Sequence, residues 1–215
     1  MLAYEKQMWE QGFSLVAGID EVGRGCLFGD VVAAAVILPK GYVLEGVNDS
    51  KKLSEKKRDY LYEQIRLEAL AVGVGIVDVA HIEAINIKQA ARLAMKQAVE
   101  QLKITPDCLL VDAEKVDVDL EQTAIIHGDA LSQSIAAASI IAKVTRDRMC
   151  VEWDDQYPEY GLAIHKGYAT KHHRDMLLRY GPTPLHRKLF IRKVMAQLEI
   201  NEAEQQNEQL ELDLI

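Results

Sequence analysis

Leu15-Val16-Ala17-Gly18-Ile19-Asp20-Glu21-Val22-Gly23-Arg24-Gly25 is the stretch that decides how this chain is read. The apolar run Leu15 to Ile19 predicts a short buried strand, and it leads directly into two carboxylates and a glycine-arginine-glycine turn. Carboxylates are seldom buried unless they are paired or hold a cation. A strand that delivers two of them therefore points to a hard-cation site at a sheet edge. Gly23 and Gly25 allow the backbone to approach another molecule closely, and Arg24 offers a planar fork of donors. Together these are tools for work on a phosphodiester. The same residues also fit an ordinary polar strand end, and Gly-x-Gly alone is a weak motif.

Working outward, Val31 to Leu38 is a continuous apolar run closed by Pro39, a second strand close enough to the first for a hairpin. Ser54 is a good N-cap for a helix running to about Glu68. Leu70 to Val77 predicts a third strand, and Ile87 to Leu102 has helical apolar spacing. Cys108 to Val111 reads as a strand ending at Asp112, and Thr123 to Ile126 as one followed by His127-Gly128-Asp129. Three apolar strands thus each deliver an acid at or just beyond the C-terminal end. One long alanine-rich helix is predicted from Ala130 to about Trp153, a short one from Lys171 to Arg179, and a last one from about Leu189. This order predicts an α/β domain: a mixed sheet with early antiparallel strands and later crossover units, flanked by helices, with a helical C-terminal extension. The expected division is a catalytic domain over 1–161, a helical substrate-binding extension over 162–199, and an acidic tail over 200–215.

The 215 residues are 49% apolar and 27% charged, enough to bury a real core. No apolar run reaches membrane-span length. Met1 to Gly12 carries Glu5, Lys6 and Glu10 and no hydrophobic signal region, so a cytoplasmic protein is expected. Cys26, Cys108 and Cys150 match neither a disulfide framework nor a zinc pattern. The net charge of −8 conceals a strong asymmetry. Glu199 to Ile215 holds six acids and no Lys or Arg, whereas Leu162 to Lys193 holds eight Lys or Arg against Asp175 alone. That basic segment fits either phosphate contact or a solvated helical surface.

Asp20, Glu21, Asp112 and Asp129 can meet at one edge of such a sheet. Four carboxylates there repel one another unless cations are present. Two divalent ions would reverse that cost and are what in-line displacement at a phosphodiester needs. Oxygen ligands favour Mg²⁺ or Mn²⁺ over zinc.

Four blocks now identify a family. Gly18-Ile19-Asp20-Glu21-Val22-Gly23-Arg24-Gly25, Asp49-Ser50-Lys51-Lys52-Leu53, Ala136-Ala137-Ala138-Ser139-Ile140-Ile141-Ala142-Lys143 and His165-Lys166-Gly167-Tyr168 resemble the signature blocks of bacterial ribonuclease HII. The resemblance covers about Leu15 to Phe190 and implies the ribonuclease H-like fold with a five-stranded sheet. It implies endonucleolytic cleavage of RNA in RNA–DNA hybrids and 5′ to single ribonucleotides in duplex DNA, leaving 3′-hydroxyl and 5′-phosphate ends. It further implies that Asp20, Glu21, Asp112 and Asp129 bind two divalent ions, Asp20 between them and Asp129 on the nucleophile side. Gly23, Arg24 and Gly25 are implied to contact the ribose 2′-hydroxyl and its phosphates, and Tyr168 to stack on the deoxyribose at the RNA-to-DNA junction. Lys51, Lys143, Arg146 and Lys166 are candidate phosphate contacts.

The chain departs from the family pattern at Cys26, Phe28 and Asp30, at Ala113-Glu114 after the third acid, and at Ala169. Asp30 and Glu114 are expected to add negative charge near the substrate. His165, His172, His173 and His186 lack companion cysteines and do not predict zinc; His165 and His186 fit either a phosphate contact or hydrogen bonding within the fold. Trp9 and Trp153 are expected to pack. Gln209-Leu210-Glu211-Leu212-Asp213-Leu214 resembles the short motif by which bacterial repair proteins dock on the replication sliding clamp. A monomer is expected. Two rivals remain: a silent hybrid-binding adaptor, opposed by the intact carboxylate set, and a DNA nuclease of the resolvase or integrase kind, opposed by the Gly-Arg-Gly turn with Tyr168.

Overall fold

The structure, a computed structural model, describes residues 1–48 and 50–196. In chain order the elements are α1 (Ala3–Glu10), β1 (Val16–Val22), β2 (Val31–Ile37), α2 (Glu55–Glu68), β3 (Ala71–Val77), α3 (Val79–Ile85), α4 (Ile87–Glu100), β4 (Cys108–Asp112), β5 (Glu121–Ile125), α5 (Gly128–Leu131), α6 (Gln133–Gln156), α7 (Leu162–His165) and α8 (Lys171–Tyr180). Residues 188–196 form a further helix, α9. The five strands make one sheet in the order β3-β2-β1-β4-β5. β1 to β3 pair antiparallel, and β4 and β5 join β1 in parallel. This is the mixed sheet the sequence predicts.

Three boundaries differ for identifiable reasons. β1 does not stop at Ile19, because β2 pairs through Asp20↔Ala34, Glu21↔Ala33 and Val22↔Val32 and carries both carboxylates inside the ladder. The helix expected from Ile87 is preceded by the separate α3. Between them Asn86 takes φ 67° and caps α4, its side chain accepting from the Lys88 and Gln89 amides. The single long helix expected from Ala130 is broken at extended Ser132. Ser132 Oγ accepts from the Ile135 amide at 3.2 Å and donates to buried Glu5 at 2.6 Å, while Glu5 also accepts from the Ser134 amide at 2.8 Å. A carboxylate from α1 thus closes the α6 N-terminus, where its charge suits the helix dipole. No sequence pattern predicted α1.

The chain groups into two compact units, Met1–Arg24 with Asp30–Met149, and Gly25–Gly29 with the residues from Cys150 onward. The division falls inside α6. In the first unit both faces of the sheet are covered. Ala17, Ile19, Ala33, Ala35 and Ile37 pack with Ala90, Ala91, Ala94 and Met95 of α4. Val32, Ala34 and Val36, of opposite parity, pack with Leu61 and Ile65 of α2 and Ala137, Ile140 and Ile141 of α6. Gly18 is where α6 comes closest to β1. A Cβ there would lie 2.0 Å from the Ser134 carbonyl carbon, so only glycine admits that approach.

In the second unit, Leu27, Leu177 and Ile191 form a small core. Phe28 meets Trp153 edge-on at 5.8 Å, and Gly29 lies flat against the same indole, so Trp153 packs as expected. Fully buried Arg187 donates from Nε to the Gly29 carbonyl at 2.8 Å.

Candidate active site

Strand register explains how the acids of the first unit are arranged. β1 and β4 run parallel with Ile19 opposite Val111, so Asp20 and Asp112 follow one position later on neighbouring strands, on the face turned to α6. Asp20 is buried. Its carboxyl holds its proton well above the usual carboxylate range, chiefly through burial, then through the charges of Glu21 and Asp112. Ser139 of α6 hydrogen-bonds to it and works the other way. Asp112 Oδ1 accepts from the Gly128 amide at 2.7 Å, which ties the end of β4 to the start of α5 and its buried Asp129. Lys51 Nζ lies 3.8 Å from Asp129 Oδ2.

Glu21, one residue on from Asp20, belongs to the other parity. Its Oε1 accepts from Arg24 Nη1 at 3.0 Å. Arg24 also lies 3.6 Å from Glu114, and Glu114 in turn receives Arg92 Nε at 3.0 Å and Nη2 at 2.9 Å. The result is a chain of alternating charge, Glu21–Arg24–Glu114–Arg92, along the α4 side. Burial raises the Glu21 pKa, and the Arg24 hydrogen bond and charge oppose it.

Two expectations change at this point. Glu114 does not add uncompensated negative charge, because two arginines neutralise it; Arg92, twenty-two residues earlier on α4, carried no sequence signal of that role. Arg146 is fully buried and donates from Nε to the Asp30 carbonyl at 2.9 Å, beneath the Gly23 turn. Gly23 has φ +94°, and a Cβ there would lie 2.4 Å from Arg146 Nε. Arg146 therefore braces the turn from within and is not presented to an outside phosphate. Lys143 is engaged within its own helix, 2.6 Å from Asp147 Oδ1.

Among the described residues, no three His, Cys, Asp or Glu side chains close into a ready ligand group. The donor set nevertheless fits hard divalent cations: all its atoms are carboxylate oxygens, Asp20 is desolvated beside two like charges, and buried Glu21 Oε2 has no hydrogen-bond partner among the described residues.

In the second unit, Lys166 and Gly167 take left-handed φ of 53° and 79°, and half-exposed Tyr168 follows. Gly25 shares that unit, and among the described residues nothing beyond its chain neighbours lies within 4 Å of where its Cβ would be. His165, His173 and His186 are buried and hydrogen-bonded inside the fold. Asp49 of the second signature block and the tail motif Gln209–Leu214 lie outside the described residues.

Comparison with known proteins decides the family. The model of the family described as Ribonuclease HII matches residues 17–193. The chain belongs to the ribonuclease HII family. It is 58% identical over 200 residues to Ribonuclease HII of Alkaliphilus metalliredigens, covering 90% of this chain and 98% of that one. Among solved structures it is similar to ribonuclease H2 from Pyrococcus horikoshii (TM-score 0.73, 25% identity, 86% of this chain and 98% of that one). It is also similar to a structure of the PCNA:RNase HII complex from Archaeoglobus fulgidus (TM-score 0.69, 29% identity, 80% of this chain and 93% of that one). As a ribonuclease HII the chain is a ribonuclease H enzyme, with activity on RNA–DNA hybrids. Its ribonuclease H-like fold agrees with both structures. No helix among the described residues is long and apolar enough to cross a membrane.

Proposed function

We propose that this ribonuclease HII hydrolyses the phosphodiester 5′ to a ribonucleotide, in RNA–DNA hybrids and at single ribonucleotides embedded in duplex DNA, leaving 3′-hydroxyl and 5′-phosphate ends. Asp20, Glu21, Asp112 and Asp129 hold two divalent cations, Mg²⁺ or Mn²⁺. When bound, these supply the charge that activates the attacking water and receives the departing 3′-oxygen. The observation that carries the reading is the β1/β4 register, which sets desolvated Asp20 beside Asp112 on one face. Asp20 presents its oxygens from within β1 and Asp112 from the end of β4, and Gly128 fixes the rotamer of Asp112 through its amide. Glu21 reaches the site from the opposite face, and Asp129 from α5.

Gly23, Arg24 and Gly25 contact the ribose 2′-hydroxyl and flanking phosphates, the group that separates RNA from DNA. Arg146 holds that turn rigid from beneath. Tyr168 stacks at the RNA-to-DNA junction, and Lys51 and Lys166 contact phosphate without sequence preference. The enzyme is cytoplasmic, which suits its three buried free cysteines. Its Gln209–Leu214 segment docks on the sliding clamp, a reading supported by the tail sequence and by the archaeal PCNA complex.

The test uses labelled duplex DNA containing one ribonucleotide, with Mg²⁺, Mn²⁺ or EDTA, beside an all-DNA duplex. A metal-dependent nick 5′ to the ribonucleotide, absent from the control, is expected. Cleavage of the all-DNA duplex at a comparable rate would sink the ribose reading. A pull-down in which deletion of Gln209–Ile215 leaves clamp binding unchanged would sink the docking reading.

A further inference from the structure

The buried histidines of the second unit form an ordered chain whose protonation can be assigned atom by atom. The Thr183 amide donates to His186 Nδ1 at 2.9 Å, so that nitrogen carries a lone pair and the proton of neutral His186 sits on Nε2. His186 Nε2 lies 3.2 Å from His173 Nε2, which must then accept. That leaves the His173 proton on Nδ1, 2.9 Å from the Tyr168 carbonyl, to which it donates. His165 is fixed in the same way: its Nδ1 accepts from the Gly167 amide at 3.2 Å, and its Nε2 donates to the Tyr160 carbonyl at 2.7 Å.

Each ring nitrogen in this set has one role, donor or acceptor, and Thr183 Oγ1 also lies 3.0 Å from His186 Nδ1. Burial, the largest cause, keeps His173 neutral down to about 4 and His186 down to about 3. The rings are also locked by packing: His165 stacks on His173 at 4.4 Å, and Phe28 meets His186 edge-on at 4.7 Å. What the chain reaches is the backbone of the two left-handed residues and the tyrosine after them. The Gly167 carbonyl accepts from the Leu27 amide at 2.9 Å, and the Tyr168 amide donates to the His165 carbonyl at 3.0 Å. The Tyr168 carbonyl also accepts from the Thr170 amide at 2.8 Å. The tyrosine side chain stands half-exposed above a backbone fixed on both sides.

We propose that the Thr183–His186–His173 relay is a positioning device for Tyr168, setting the angle at which its ring meets the RNA-to-DNA junction. The inference rests on the proposed junction-reading role of Tyr168. His173 and His186 touch no substrate; they act through the Tyr168 carbonyl. Lys166, a non-glycine residue at φ 53° just before Gly167, holds a sparsely populated backbone state that persists only when its surroundings over-determine it. The neutral relay supplies that constraint with directional hydrogen bonds.

The experiment compares kcat/KM on a single-ribonucleotide duplex with kcat/KM on a long RNA–DNA hybrid, using the full chain, and reads their ratio. His173→Leu removes the donor to Tyr168 and is expected to lower the ratio about fivefold to tenfold, the effect of one lost hydrogen bond on a positioned group. His173→Asn puts an amide N–H where Nδ1 stands and is expected to restore most of the ratio. In the double variant with Tyr168→Ala, His173→Leu should lower the ratio no further than Tyr168→Ala alone. Where His173→Leu fails to fold, His186→Asn serves: its amide oxygen still accepts from Thr183, but the donor to His173 is gone. Nitrogen-15 NMR should find His173 protonated on Nδ1 and His186 on Nε2.

An equal fall on both substrates, with the ratio unmoved, would make the histidines merely structural and overturn the inference, as would the reverse tautomers. If Tyr168→Ala itself leaves the ratio unchanged, the junction reading fails and takes the inference with it. If Tyr168→Ala lowers the ratio and the histidine variants do not, only the relay is wrong.

Discussion

Gly23 and Gly25 stand two residues apart in one motif, yet replacing each by alanine should do opposite things. At Gly23 the backbone has φ +94°, where an L side chain costs roughly 1–2 kcal/mol. The new Cβ would also lie 2.4 Å from Arg146 Nε and 2.8 Å from its Cδ. Arg146 is fully buried and cannot swing into water, so it loses its 2.9 Å bond to the Asp30 carbonyl. An unpaired buried donor of that kind costs about 1–3 kcal/mol. Gly23→Ala should therefore lose about 2–5 kcal/mol in all, and its thermal midpoint should fall by at least about 4 °C.

Gly25 has no positive φ, and among the described residues no atom beyond its chain neighbours lies within 4 Å of its Cβ position. Gly25→Ala should change stability by no more than about 0.5 kcal/mol. If substrate approaches that backbone as proposed, its kcat/KM should nonetheless fall about 10²-fold, the scale of a reacting group displaced by about 1 Å. Urea denaturation of both variants, with the slope checked for constancy, and cleavage kinetics at one salt concentration give the comparison. A Gly23→Ala protein as stable as its parent, or a Gly25→Ala protein as unstable as Gly23→Ala, would refute the reasoning.

Asp20→Asn should reduce cleavage by at least about 10³-fold, or some 4 kcal/mol of transition-state stabilisation, while hybrid binding stays measurable in a filter assay; an active variant would overturn the carboxylate assignment. Ala113 occupies a left-handed φ of 51° just after Asp112, so Ala113→Gly should stabilise by about 0.5–1 kcal/mol, read as a raised denaturation midpoint at unchanged slope. His173 and His186 have folded pKa values of about 4 and about 3, below the unfolded value of 6.5. Their contribution is therefore complete above pH 6.5. It is lost as the pH falls toward 4, at about 1.4 kcal/mol per pH unit for each proton the unfolded chain takes up in excess. Denaturation at pH 7, 5.5 and 4.5 should show that decline, and the same decline in a His173→Asn, His186→Asn protein would exclude these two rings as its source.

Four of the five strands were legible because each is a short apolar run followed by a carboxylate or proline, whereas β5 opens on Glu121 and Gln122; of the four signature blocks, the first falls on the end of β1 and the others on the approach to α2, within α6 and at the end of α7. Local pattern does not reveal register, so Asp20 and Glu21 read as a pair beyond the strand. Only the ladder to β2 shows them inside it and on opposite faces. Glu114 read as excess negative charge because Arg92 lies on a different element. Arg146 read as a surface cation because its helix periodicity is blurred by an apolar stripe that passes almost all round, and burial alone distinguishes it from Arg148. The break at Ser132 depends on Glu5, more than a hundred residues away in sequence.

Because Asp20 and Glu21 are adjacent on β1, each answers to a different layer of helices, Asp20 to α6 through Ser139 and Glu21 to α4 through Arg24, Glu114 and Arg92. A one-residue slip of β1 against β2 would leave both acids in the strand, intact in composition, and exchange the layers they address. The sheet therefore acts as the assembly jig of the site. A variant that loosens strand pairing far from the acids would disable the enzyme by misdelivery, with every ligand still present.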